Sequence, residues 1–72
     1  MKTADKTAVL VNAAKFVWER VEDDYAALGM TGKVERVEAV MEFFPTIADD
    51  AENKLWDELD PSERRALLRL YI

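Results

Sequence analysis

The sequence predicts an all-α fold: a compact bundle of four short helices without strands, in one small domain spanning residues 1–72. Apolar residues recur at the three- and four-residue spacing of amphipathic helices. The two glycines and two prolines fall where helices should end or begin, and no linker is long enough to separate domains. Three helices plus a docking C-terminal helix describe the pattern equally well. Residues 1–6 are expected to fray.

The first helix is predicted over residues 7–28 and the second over residues 33–44. At 100° per residue, the apolar stripe of the first helix contains Leu10, Ala14, Val17, Val21, Tyr25 and Leu28, with Val11 and Trp18 on its shoulder. Gly29 predicts a left-handed C-terminal cap, and the short connection predicts that the second helix packs back antiparallel to the first. The stripe of the second helix contains Val34, Val37, Val40, Met41 and Phe44. Pro45 is expected to stop this helix.

The third and fourth helices are predicted from their start signals. The third is expected to begin near Thr46, with an acidic first turn. Its inner face would contain Ala48, Ala51, Leu55 and Leu59, with Trp56 at the edge. The fourth has Asp60 as its cap, Pro61 at its first position and Glu63 three residues after the cap. Its apolar residues point two ways, with Leu67, Leu70 and Tyr71 on one side and Leu68 and Ile72 on the other. That pattern predicts burial on two sides.

The composition excludes several classes of function. The chain has no histidine and no cysteine, the residues that most often carry nucleophilic, acid–base and transition-metal chemistry. We therefore expect a protein that is not an enzyme and that uses no cofactor or metal. A net charge of −5 argues against binding nucleic acid or an anionic membrane through a basic face. No stretch approaches the roughly 20 apolar residues of a membrane span, so the expectation is a soluble cytoplasmic protein.

Carboxylates are the main remaining candidates for chemistry, and they cluster at residues 22–24 and 49–52. A catalytic pair needs a cleft that separates two pKa values, whereas these clusters fall on predicted solvated faces or at a helix start. Asp49, Asp50 and Glu52 could offer oxygen ligands to Ca²⁺ or Mg²⁺, but the alternating acidic pattern with a central glycine is absent. The sequence favours a structural role for both clusters.

Three apolar residues do not fit the predicted core stripes. Phe16 lies well away from the stripe of the first helix, and Val9 shares its direction seven residues earlier. Phe43 lies roughly opposite the stripe of the second helix. Either the first helix is sandwiched between other helices, or Val9, Phe16 and Phe43 contribute to an exposed apolar patch that marks an interface.

The charges are distributed unevenly. Residues 1–60 carry 14 acidic residues against 7 Lys and Arg, whereas the last helix carries three arginines against one glutamate. Arg65 and Arg69 lie one turn apart, either matching the helix dipole and pairing within the chain or forming a contact surface. Glu35, Glu38 and Glu42, here called the acidic ridge, rise along the second helix at intervals of roughly 4.5 and 6 Å. That is the spacing scale of a nucleic-acid backbone, which advances about 3.4 Å per phosphate.

These observations favour a small acidic interaction module that binds a partner protein or itself. Its expected contact residues are Val9, Phe16, Phe43, Arg65 and Arg69. The alternative is an inhibitor that uses the acidic ridge to block the nucleic-acid-binding cleft of a host enzyme, by analogy of class with phage-encoded inhibitors. Neither hypothesis includes direct binding to nucleic acid or to a membrane.

Overall fold

The computed structural model describes residues 3–72, with side chains from Lys6 onward. Over these residues the chain forms four helices and no strand, which confirms the predicted all-α fold. The helices are α1 (Thr3–Ala27), α2 (Lys33–Ile47), α3 (Asp50–Asp57) and α4 (Pro61–Tyr71). α1 begins four residues earlier than predicted. The expected fraying of residues 1–6 falls partly on residues 1 and 2, which lie outside the described part of the chain.

α1 forms the centre of the bundle and packs against all three other helices. Six of its buried side chains belong to the predicted stripe and shoulder, namely Leu10, Val11, Ala14, Val17, Trp18 and Val21, and Ala13 is buried beside them. Val37, Val40 and Phe44 of α2 and Leu68 of α4 complete this core from the other side. The apolar spacing of α1 and α2 therefore predicted most of the core correctly.

Gly29 provides the predicted left-handed cap, with a φ angle of 71°. The amide of Gly29 donates to the carbonyl of Ala26 at 3.0 Å, and the amide of Met30 donates to that of Tyr25 at 2.9 Å. This pair of bonds is a Schellman motif, which commonly brings the side chains at the positions of Tyr25 and Met30 together. The turn therefore fixes the position of Met30 beside the end of α1.

The prediction that Pro45 stops α2 is wrong, because the helix continues to Ile47. A proline removes its own amide donor and crowds the carbonyl four residues earlier, but only two residues of α2 follow Pro45, so few further backbone bonds depend on it. The amide of Ala48 still donates to the Phe44 carbonyl at 2.9 Å. The Asn53 side-chain amide lies within 3.1 Å of the Pro45 carbonyl oxygen and 3.2 Å of the Ala48 oxygen. Asn53 thus satisfies carbonyls at the end of α2.

α3 and α4 both begin with a capping box. In α4, the predicted cap is confirmed: Asp60 accepts from the Glu63 amide, and Glu63 accepts from the Asp60 amide, both at 2.9 Å. In α3, the predicted start near Thr46 is wrong. Asp49 is the cap, and it exchanges the same two bonds with Glu52. Thr46 does not begin α3, because it lies inside the longer α2.

Trp56 lies in the centre of the core rather than at the predicted edge of α3. It is fully buried and stacks on Phe44, with ring centroids 3.9 Å apart and planes inclined by 12°. The guanidinium of Arg64 lies 5.2 Å from the Trp56 ring centroid, and its Nε donates to the Trp56 carbonyl at 3.0 Å. Ala51 lies five residues before Trp56 and about 140° from it around the helix axis. Because Trp56 turns inward, Ala51 is exposed rather than buried.

Several residues that the stripes assigned to the core are exposed, namely Leu28, Val34, Leu70 and Tyr71. Leu28 lies beyond the end of α1, and Val34 lies in the first turn of α2. α4 packs on α1 and α2. Since Leu68 faces inward, Leu70 points about 200° away from it and outward. The predicted burial of α4 on two sides is therefore wrong.

Candidate functional site

The structure does not bring Val9, Phe16 and Phe43 into one patch. Phe43 is half-buried and meets Tyr25 of α1 edge to face, with ring centroids 6.5 Å apart. Phe16 lies nine residues before Tyr25, which turns it about 180° to the opposite side of α1. There, Phe16 is 50% exposed, and the Arg20 guanidinium lies 5.9 Å from its ring centroid. Phe16 is thus an exposed aromatic ring on the other side of α1, Val9 is half-buried, and Phe43 belongs to the edge of the core.

Arg65 and Arg69 have different surroundings. The Nε of Arg65 donates to Glu38 Oε2 at 2.8 Å, and its Nη2 donates to Oε1 at 3.2 Å. This fork-like pair joins α4 to α2. Hydrogen bonding from Arg65 lowers the pKa of Glu38, with smaller contributions from the charges of Arg65 and Arg69. Arg65 is therefore engaged within the chain, whereas Arg69 is exposed.

The acidic ridge forms part of one open groove of about 500 Å³ along α2, here called the acidic groove. Its lining residues are Tyr25, Met30, Val34, Glu35, Glu38, Ala39 and Glu42. The Tyr25 hydroxyl donates to Glu42 Oε2 at 3.5 Å, and burial followed by the nearby Glu42 charge raises the pKa of Tyr25. The three glutamates are therefore brought together in one groove, which they share with the apolar side chains of Met30, Val34 and Ala39.

A second groove of about 420 Å³, here called the cationic groove, lies on the α4 side of α2. It is lined by Lys33, Val34, Val37, Glu38 and Arg69. Val34 and Glu38 line both grooves, and we call these two residues the shared edge. Glu35 and Glu42 thus lie on one side of the shared edge, whereas Lys33 and Arg69, which form no ion pair among the described residues, lie on the other.

Met30 and Val34 are the candidate contact residues that the sequence reasoning missed. Met30 is 41% exposed and Val34 is 73% exposed. Val34 was assigned to the core because it continues the stripe of Val37 and Val40. The neighbouring helices do not cover the first turn of α2, and a helical period alone carries no information about where that cover ends. Met30 follows the Gly29 cap, whose pattern does predict a fixed turn.

The two grooves are lined by charged, aromatic and apolar side chains, and the acidic cluster at the start of α3 lies outside both. The acidic cluster at α3 is used in capping, since Asp49 and Glu52 bond to each other's backbone amides. Among the described residues, no group of three acidic side chains could hold a metal ion, and no helix has the length and apolarity to cross a membrane. Comparisons with protein-family models, curated proteins and solved structures found no significant match.

Proposed function

We propose that this chain is a small non-enzymatic interaction module that binds a protein, either a different one or a second copy of itself, through the shared edge and the two grooves beside it. The observation that supports this most directly is the exposure of Met30 and Val34 between charged groups of both signs. An apolar centre with a polar rim is the usual anatomy of a protein interface. Covering both side chains would contribute roughly 2–3 kcal/mol.

Site-specific crosslinking tests this proposal. Purified protein that carries a photo-crosslinking phenylalanine analogue in place of Val34 is irradiated in lysate of the native host. The matched control carries the analogue in place of Ala51, an exposed residue of α3. We expect discrete covalent adducts from position 34, which the control does not form. The same pattern of adducts from both positions would refute the proposed site.

Phe16 is a second candidate contact, because it is the exposed aromatic ring of α1. Phe16→Ser should leave helicity and the melting temperature nearly unchanged, since half of the ring is already in solvent. If the variant also loses partner binding, Phe16 extends the interface to the opposite side of α1. Retained binding removes Phe16 from the proposed contacts, and unfolding assigns it to the core.

A second candidate function is inhibition of a nucleic-acid-binding enzyme by the acidic ridge. The observation in its favour is that Glu35, Glu38 and Glu42 line one groove. Because Glu38 is paired with Arg65, only Glu35 and Glu42 of the ridge lack an ion pair over the residues that the structure describes, which weakens the resemblance to a phosphate backbone. This function predicts binding that falls steeply with salt and competes with DNA or RNA. Unchanged binding after Glu35→Lys and Glu42→Lys together would contradict it.

A further inference from the structure

We infer that the partner at the shared edge is a second copy of this chain. This inference rests on the proposed function and names its partner. The two grooves beside Val34 are lined by three carboxylates, Glu35, Glu38 and Glu42, and by two cationic side chains, Lys33 and Arg69, while Arg65 adds a third positive charge through its ion pair with Glu38. The surface is therefore locally neutral on a protein whose net charge is −5. A locally neutral surface suits an acidic partner such as this chain better than a strongly basic one.

The charges are also separated by sign across α2. At 100° per residue, Glu35 lies about 100° and Glu42 about 80° to one side of Val34, whereas Lys33 lies about 100° to the other. Arg69 lies on the Lys33 side, because both residues line the cationic groove. Glu38, on the shared edge, is already paired with Arg65. An apolar centre thus separates Glu35 and Glu42 from Lys33 and Arg69, and none of these four side chains forms an ion pair within the described part of the chain.

A two-fold interface requires a surface that is complementary to itself. A two-fold axis parallel to α2 would place the two α2 helices side by side and parallel. The acidic groove of each copy then faces the cationic groove of the other, and Val34 lies opposite its own counterpart. A perpendicular axis, which makes the helices antiparallel, would instead face like charges toward each other. The structure therefore points to a parallel α2 pair.

Charge-swap complementation tests this arrangement on purified protein. In a dimer of Glu35→Lys, the new lysine of each copy faces Lys33 of the other, and in a dimer of Lys33→Glu two glutamates face each other. Each variant alone should associate at least about tenfold more weakly than the unchanged chain. An equimolar mixture should regain association, because both contacts of the mixed dimer join opposite charges. Glu19→Lys, an exposed change of the same size on α1, is the matched control and should still associate.

Sedimentation equilibrium measures the mass from about 10 μM to about 1 mM, because association depends on concentration. We expect the unchanged chain to rise from 8.3 kDa toward twice that mass. A constant 8.3 kDa would overturn the second-copy inference, as would a mixture that associates no better than its separate variants. Neither result would refute the proposed function, which is tested separately by crosslinking from position 34. Adducts to a different protein in that experiment would support it.

Discussion

The stack of Phe44 on Trp56 should contribute more to stability than any other aromatic contact, and Phe44→Leu tests its strength. Both rings are fully buried, and their centroids lie 3.9 Å apart. Losing the aromatic pair costs about 0.5–1.5 kcal/mol, and the altered shape in a close-packed core costs up to about 1.5 kcal/mol. We therefore expect a total loss of about 2 kcal/mol. A chain of this length has roughly 4–11 kcal/mol of total stability, so the variant should still fold.

Thermal unfolding followed by far-UV circular dichroism measures this loss. For a domain of this size, about 2 kcal/mol corresponds to a decrease in Tm of roughly 8–16 °C. Phe16→Leu is the matched control, because the same substitution occurs at a ring that is 50% exposed. A surface change of this kind should alter stability by no more than about 0.5 kcal/mol. Equal decreases in Tm for the two variants would refute the assignment of Phe44 to the core and Phe16 to the surface.

Three further changes test the turn, the α2–α3 connection and the α2–α4 ion pair. Gly29→Ala should cost about 1–2 kcal/mol, measured by urea unfolding. The added carbon meets no atom within 4 Å, so an unchanged midpoint would contradict the left-handed cap. Asn53→Ala should cost roughly 1–2 kcal/mol because the Pro45 carbonyl and its neighbours lose their donor, and an unchanged Tm would contradict that role. Glu38→Gln should lower Tm at neutral pH. The hydrogen bond from Arg65 lowers the pKa of Glu38 below the ordinary glutamate value of about 4.3. The ionised pair therefore stabilises the fold at pH values above that ordinary value, and this contribution is lost as the pH falls through the folded-state pKa. The difference in Tm from the unchanged chain should therefore vanish in acid, and a constant difference would exclude the ion pair as its cause.

The sequence predicted those parts of the fold that depend on local chemistry. The caps at Gly29 and Asp60 were predicted correctly because each rests on a backbone requirement within a few residues. The end of α2 was not, because the effect of Pro45 depends on how many turns follow it and on the Asn53 donor from α3. Long-range contacts of this kind leave no periodic signal.

The candidate site was less predictable than the core. The sequence placed Glu35, Glu38 and Glu42 on one face of α2, and the structure brings them into one groove. It could not indicate that Glu38 would pair with Arg65 from α4, because nothing in the local pattern links positions 27 residues apart. The uneven charge distribution indicated only in general terms that the arginines of α4 could pair within the chain. Exposure of Val34 likewise depends on how far the neighbouring helices cover the first turn of α2, which is a property of the packed bundle.

Exposed apolar residues alone would not identify an interface on a chain this small. A domain of 72 residues cannot cover all its apolar groups, and scattered exposed side chains such as Leu70 are normal. Val34 differs from Leu70 because it lies between two grooves whose charged groups have opposite signs. Met30 is held next to it by the capped turn after α1. The combination of a positioned apolar centre with a charge-separated rim is what favours recognition here, and it is specific enough that one pair of charge swaps can test the proposed partner.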